Sequence, residues 1–318
     1  MGSRSSILEI IRDQILRTIE RMPQRSVYHS IDYSFSKLFS IKLFVFLNFL
    51  LNKLVVERKA RKILLGTRRS AGSHVGKVAL VVANGPSSNE VDWSLVKKER
   101  ELGECFLFLI NHSLNEPEVL ERGADFLVLS DPGSHSSSLD PRTIKLWENI
   151  SALPSLRLIT PISWHRDIGD SRCDSLECLH FSDLSLESIS VSTSPLKARG
   201  YPSLTAYKAM AFAKHLGFST ILIAGVDNSM FRALKVDSTN SLIQSPNHFV
   251  KQYGPSVNVT DIYPNGIADY FTELSEMFLS LRRCFRGTQI YNLGLQSEVD
   301  AFPKATKDTL WSKYTTHK

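Results

Sequence analysis

Residues Val78 to Ser88 read VALVVANGPSS, and the fold of the chain turns on this stretch. The run from Val78 to Ala83 is apolar, rich in β-branched residues and free of polar interruption. Such a run suits a strand buried on both faces, the usual state inside a parallel sheet. It stops at Asn84-Gly85-Pro86-Ser87. Gly85 can take backbone angles closed to other residues, Pro86 fixes the next φ, and Ser87 or Ser88 can cap a helix beginning near residues 89–92. The expected unit is strand, turn and helix, with free backbone N–H groups where a phosphate would sit. A Gly-Pro turn after a strand is also ordinary punctuation, so the remaining strand ends have to decide.

They repeat the pattern. A helix from about Trp93 to Leu102 leads to a second strand, Cys105 to Ile110, ending at Asn111; a short helix around Pro117 to Arg122 leads to a third, Asp125 to Ser130, ending in Asp131-Pro132-Gly133. Strands alternating with helices imply crossover connections and a doubly wound, mostly parallel α/β sheet of the Rossmann-like kind. Ligands in such sheets bind outside the carboxyl ends of the strands, so Asn84, Asn111 and Asp131 are expected on one rim. Residues 134–199 are less regular, with a fourth strand over Leu156 to Thr160 and a Ser-rich loop over 182–194. Regularity returns with TAYKAMAFAKHL, Thr205 to Leu216, a helix of strong formers stopped by Gly217. Strand Thr220 to Ala224 follows, ending in Gly225-Val226-Asp227; then 228–256, with little periodicity, reads as a lid or binding loop. A helix over Ile267 to Cys284 and a strand over Gln289 to Leu293 complete the sheet, and 304–318 is a basic tail.

The 318 residues suffice for one large domain with an appendage. Within the net charge of +6, residues 1–70 carry fourteen Lys/Arg against five Asp/Glu and the rest of the chain is net acidic. Basicity thus belongs to an N-terminal arm, separated from a domain over 77–303 by a Gly/Ser/Arg linker at 66–76. The arm holds an amphipathic stretch with Ile7, Ile10, Ile11, Ile15 and Ile19 near helical spacing, and then FSKLFSIKLFVFLNFLLNKLVVERKARKILL over residues 35–65. Lys42, Asn48, Asn52 and Lys53 interrupt the apolar run before the span of about 20 residues that a transmembrane helix needs. Two readings remain for 36–69: an interfacial helix whose basic flank meets an anionic membrane surface, or a helix packed on the enzyme or on a second subunit of a homo-oligomer. No secretory signal is visible, so the expected location is cytoplasmic, peripheral to the inner face of the cell membrane. Cys105, Cys173, Cys178 and Cys284 are too scattered for a disulfide framework, and Cys173 and Cys178 with His165 and His180 lack a standard zinc spacing, so no metal site is expected. The arm lacks interleaved aromatic platforms of the strand-binding kind, so no nucleic-acid partner is expected.

Taken together, ANGPS after the first strand, INHS after the second, SDPG after the third and the helix running into HLGFSTILIAGVD resemble the bacterial sialyltransferases that include the Campylobacter lipooligosaccharide enzymes. The chain is similar also to a wider set of bacterial polysaccharide and flagellin-glycosylation proteins and to hydroxymethylpterin pyrophosphokinases. The resemblance covers about Lys77 to Phe302 and implies a single nucleotide-binding domain of the GT-A-like kind. It implies an inverting transfer of a sialic-acid-like nonulosonate from a CMP-activated donor to a glycan or glycolipid acceptor, without a cofactor. It places Asn84, Gly85, Pro86 and Ser87 on the nucleotide phosphate and ribose, Asn111 on the activated sugar, and Ser203, Thr205 and Gly225 around the donor. Asn292 and Ser297, in the terminal turn, become further nucleotide candidates.

The chain departs from this pattern at the chemistry. Asp131 stands where those enzymes carry asparagine, and Tyr-Gly-Pro-Ser stands where their catalytic histidine loop falls. An inverting transfer needs a general base and donors for the departing phosphate. His248, Asp131 and Asp227 are the candidate bases; Tyr253 and Tyr263 are the candidate phosphate donors. Two other readings stand beside this one. Asp131 and Asp227 would suit a Mg²⁺-dependent diphosphokinase, and loss of the histidine loop would suit a noncatalytic membrane-associated scaffold.

Overall fold

The computed structural model describes residues 42, 43, 45–47, 49, 50, 53, 62–165, 177–187, 189–244, 257–263, 266–306 and 308–316. The helix expected over residues 7–19, most of 35–61, Cys173, His248 and Tyr253 lie outside them. The chain divides into two compact units, Met1–Asn48 and Phe49–Lys318. In the first, residues 42, 43 and 45–47 are helical, and Leu43 and Leu47 are exposed. No helix among the described residues is long and apolar enough to cross a membrane.

The second unit is an α/β body. Its described strands are β1 (Val78–Val82), β2 (Cys105–Ile110), β3 (Phe126–Val128), β4 (Arg157–Pro161), β5 (Cys178–Phe181), β6 (Thr220–Ala224), β7 (Leu234–Val236), β8 (Leu242–Gln244), β9 (Val257–Asn258) and β10 (Ile290–Asn292). Helices α1 (Leu65–Arg69), α2 (Trp93–Glu101), α3 (Pro117–Arg122), α4 (Pro141–Ser151), α5 (Thr205–Leu216) and α6 (Ile267–Cys284) run between them. Seven strands form one sheet in the order β10-β6-β1-β2-β3-β4-β5, every pair parallel. The expected Rossmann-like, doubly wound sheet is therefore present.

The continuous apolar run of β1 follows from its central place. Ala79 and Val81 face a core built with α5 and α6, whereas Leu80 and Val82 face one built with Val96, Val119, Leu146 and Ile150 of α2, α3 and α4. A strand covered on both faces has no position that tolerates a polar side chain. Helix α5 is buried nearly all round, which its alanines permit by letting sheet and neighbours approach closely. Gly217, at φ +88°, ends it in the left-handed conformation.

Several boundaries differ from expectation, each for a packing reason. Residues 66–76, read as a linker, are a brace on the body. The Thr67 hydroxyl donates to the His180 carbonyl at 2.7 Å and accepts from the His180 amide at 2.9 Å, covering edge strand β5. His74 is buried, stacked on Phe218 at 4.7 Å. At the opposite edge the supposed tail is also integral, since the Ala305 amide donates to the Asn292 carbonyl at 2.9 Å and Tyr314 is buried in the core under α2. In the irregular middle, α4 and β5 were not expected. β5 is four residues long, too short for a periodic signal. The segment 228–256, read as a lid or binding loop, carries β7 and β8, which pair with β9 just beyond it in a three-stranded antiparallel sheet, although 245–256 lie outside the described residues.

Candidate functional site

The chain leaves β1 toward β2 and steps outward to β5, then returns to the other side of β1 for β6 and β10. The order thus reverses between β1 and β6, and loops leaving their carboxyl ends diverge to open a crevice. A cleft of about 300 Å³ lies there, lined by Asn84, Gly85, Asn111, Asp131, Thr205, Gly225 and Asp227, together with Tyr207, Asn228, Ser229 and Met230.

Local geometry fixes each wall. Asn111, at the end of β2, takes φ 44°, a left-handed conformation that asparagine tolerates better than most residues. Its Nδ2 donates to Thr205 Oγ1 at 3.0 Å and its Oδ1 accepts from the Ser130 amide at 3.3 Å; Thr205 Oγ1 and Ser130 Oγ are 2.7 Å apart. One amide therefore ties the ends of β2 and β3 to the first turn of α5. Asn228, at φ 49°, donates through Nδ2 to the Tyr207 hydroxyl at 2.9 Å, tying the loop after β6 to the same helix. Such strained asparagines concentrate where geometry matters more than stability. Asp131 sits exposed at the rim, its Oδ1 accepting from the Gly133 amide at 3.0 Å.

The turn after β1 differs from its expectation. Gly85 has φ −75° and ψ 159°, open to any residue, so its role is not conformational. It is glycine because a Cβ there would meet the Gly225 carbonyl oxygen at 2.5 Å and run into the Asp227 carboxylate. The N–H groups expected to be free are consumed. Gly85 N donates to the Gly225 carbonyl at 2.8 Å, Ser87 N to Asp227 Oδ2 at 2.9 Å and Ser88 N to the Gly85 carbonyl at 3.1 Å, and Pro86 has none. Ser87 Oγ donates to Asp227 Oδ1 and accepts from Gly225 N at 2.9 Å. A short 3-10 turn, Pro86–Glu90, replaces the helix start, and α2 begins only after Asp92 caps it through the Leu95 amide at 3.1 Å. Ser87 and Asp227 thus form a buried clasp between the β1 and β6 turns, and neither oxygen of Asp227 is left without a donor.

Asn292 and Ser297 are corrected likewise. Asn292 is 0 % exposed; its Nδ2 donates to Ser297 Oγ at 2.9 Å and its Oδ1 accepts from the Gly294 amide at 3.0 Å. Ser297 Oγ in turn donates to the Val226 carbonyl at 2.9 Å. Both side chains are spent holding the β10 end to the loop behind the cleft. Tyr263 packs against Tyr270, ring centroids 5.2 Å apart, in an apolar cluster with Leu242 and Val259, away from the cleft lining. Burial and the adjacent Glu273 push its hydroxyl well above the ordinary tyrosine range. Ser203 lines a second cavity, of about 400 Å³, on the far side of Leu204. His248 and Tyr253 lie outside the described residues. Tyr207, Asn228 and Lys208 escaped the sequence reading. Asn228 alone had a signal, as the residue directly after a strand-end Gly-Val-Asp.

Fold and cleft together define a doubly wound α/β protein with an open cleft at its switch point. No family model matches the chain, and no curated protein does. Among solved structures it is similar to a MAf glycosyltransferase from Magnetospirillum magneticum AMB-1, at 14% identity and a TM-score of 0.41, over 73% of this chain and 35% of that one. The chain therefore spans about a third of the length of that structure.

Proposed function

We propose that the chain is a glycosyltransferase that holds a nucleotide-activated sugar in the switch-point cleft. The observation that carries this reading is the character of the lining. Asn84, Asn111, Asn228, Thr205 and Ser229 contribute amides and hydroxyls, Asp131 contributes a carboxylate, and among the described residues no lysine or arginine lines the cleft. Amides and hydroxyls recognise sugar hydroxyls and base edges, whereas a di- or triphosphate calls for concentrated positive charge. A CMP-activated sugar, with a single phosphodiester, is the donor class this lining favours, in keeping with the sialyltransferase-like strand ends. The positive end of the α5 dipole, entering through Leu204 and Thr205, suits that phosphate. Of the two candidate carboxylates, Asp131 is the base in this reading, because Asp227 is engaged in the clasp; His248, the third candidate, lies outside the described residues. The same engagement speaks against Asp131 and Asp227 as a pair of Mg²⁺ ligands in a diphosphokinase.

Thermal shifts with CMP, UDP, GDP and ATP test the assignment. At 100 times Kd, CMP is expected to stabilise the protein by about 2.7 kcal/mol. Thr205→Val, which keeps the shape and removes the hydroxyl, is expected to weaken CMP binding about fivefold to tenfold, the cost of a lost hydrogen bond or two. Stabilisation by ATP or GDP without CMP would overturn the reading.

The arm, in this account, holds the enzyme at an anionic membrane carrying the acceptor. It is supported by the +9 charge of residues 1–70 and by the exposed Leu43 and Leu47, one helical turn apart. The full chain is expected to sediment with anionic vesicles and to stay in solution with zwitterionic ones. Equal recovery with both would remove the membrane from the account.

A further inference from the structure

Asn228 is held in the cleft differently from Asn111. The amide of Asn111 is spent at both ends, its Nδ2 on Thr205 Oγ1 at 3.0 Å and its Oδ1 on the Ser130 amide at 3.3 Å. Asn228 is tied at one end only: Nδ2 donates to the Tyr207 hydroxyl at 2.9 Å, while Oδ1 has no partner among the described residues and stays open to the cleft that Asn228 lines. A chain of donors fixes which end is which. Tyr207 is 0 % exposed, and burial raises its pKa above the ordinary tyrosine range, so the hydroxyl keeps its proton. That single proton is donated to the Met277 carbonyl of α6 at 3.4 Å. Toward Asn228 the hydroxyl can then only accept, so the N–H end of the amide faces it and the carbonyl end faces away. The next residue adds a second unmet group. Ser229 is 7 % exposed and lines the same cleft, yet its hydroxyl has no partner among the described residues and is not sealed off. A hydroxyl this deeply buried is costly unless something in the cleft completes it.

We propose that Asn228 and Ser229 form a subsite that reads a hydrogen-bond donor on the bound ligand, with Tyr207 as the positioning residue that aims the Asn228 carbonyl. The group read is an O–H or an N–H. On a CMP-activated sugar it is a ribose hydroxyl or the exocyclic amine of cytosine. The inference deepens the glycosyltransferase reading and rests on it for the identity of the ligand. An acceptor of fixed direction rewards a donor and penalises a second acceptor, so the subsite acts on selectivity between close analogues. The Ser229 hydroxyl, which both donates and accepts, turns to suit the group that Asn228 selects.

The test measures the affinities of CMP, UMP, 2′-deoxyCMP and 3′-deoxyCMP for the full chain and for variants at the two positions. The parent is expected to bind CMP at least about tenfold more tightly than one of the analogues, and that analogue identifies the group: UMP the amine, a deoxy form the hydroxyl. Asn228→Gly, which suits the φ of 49°, is expected to fold and to bind CMP and that analogue equally. Asn228→Asp keeps an acceptor and tolerates the same φ, and is expected to keep the preference. Tyr207→Phe leaves the amide free to turn, and is expected to lower the preference roughly threefold, within the worth of one hydrogen bond. A parent indifferent to all three replacements overturns the proposal, as does an Asn228→Gly variant that keeps the preference or an Asn228→Asp variant that loses it. Unfolding of Asn228→Gly overturns it too, by making Asn228 a structural amide, and an undiminished preference in Tyr207→Phe removes the positioning role. If the parent binds none of the four nucleotides, the glycosyltransferase reading fails separately. The subsite then stands if free ribose stabilises the parent and not Asn228→Gly, and falls if ribose stabilises neither or both.

Discussion

Gly225→Val is expected to destabilise the protein by roughly 3–5 kcal/mol, the sum of a strained backbone and an overpacked contact. Gly225 has φ +69°, which a β-branched residue adopts only under strain. A Cβ there would also run into the Ala83 carbonyl and come within 3.1 Å of Gly85 N. Those atoms cannot give way cheaply, because Gly85 N is already bonded to the Gly225 carbonyl and Gly225 N to Ser87 Oγ. The two turns that flank the switch point are locked face to face, and the cleft depends on the lock. A loss of this size is a large share of a typical domain's 5–15 kcal/mol. Denaturant midpoints by circular dichroism measure it, and a variant as stable as the parent would show that the turns are not interlocked. Gly85→Val acts on the same lock from the other side. It tests the packing of the two turns and does not isolate phosphate recognition.

Acidification from pH 6.5 to 4 is expected to remove about 3 kcal/mol of stability through His180 alone. The side chain is buried on β5, its Nδ1 paired with Thr160 Oγ1 at 3.0 Å and its Nε2 with His165 Nδ1 at 3.1 Å. Burial, followed by repulsion from His165, lowers its pKa from 6.5 to about 4. Between these values the unfolded chain binds the proton and the folded chain does not. The contribution is therefore complete above pH 6.5 and is lost as pH falls toward 4. His74 and His112 are lowered by burial and act in the same direction, whereas the raised Asp183 opposes them. The difference between the parent and His180→Gln isolates the one residue. The variant is expected to show a shallower acid limb in a plot of unfolding free energy against pH, and parallel limbs would refute the assignment. The effect lies on edge strand β5, four strands away from the crevice between β1 and β6, so ligand binding in that crevice is not expected to follow the same titration.

The sequence by itself determined the order of the sheet elements where local signals were strong. VALVV, CFLFLI and TILIA are apolar without interruption because a central parallel strand is covered on both faces. TAYKAMAFAKHL ends at Gly217 because only glycine enters the left-handed stop without strain. It also brought Asn84, Asn111 and Asp131 to one rim, since polar residues that end parallel strands share an edge of the sheet; the structure adds Thr205 and Asp227 to the same cleft. Their division of labour was decided only in three dimensions. Whether a strand-end carboxylate faces a ligand or an amide 140 residues away depends on how two turns pack, and the local sequence around Asp227 carries no record of Ser87. The N–H groups expected to be free after β1 are bonded for this reason, and the side chains of Asn292 and Ser297, expected at the nucleotide, are bonded to each other and to neighbouring backbone. Lys208 was hidden in the opposite sense. Within an alanine-rich helix a lysine reads as a solvated side chain, and only the burial of α5 on all sides makes its charge unusual.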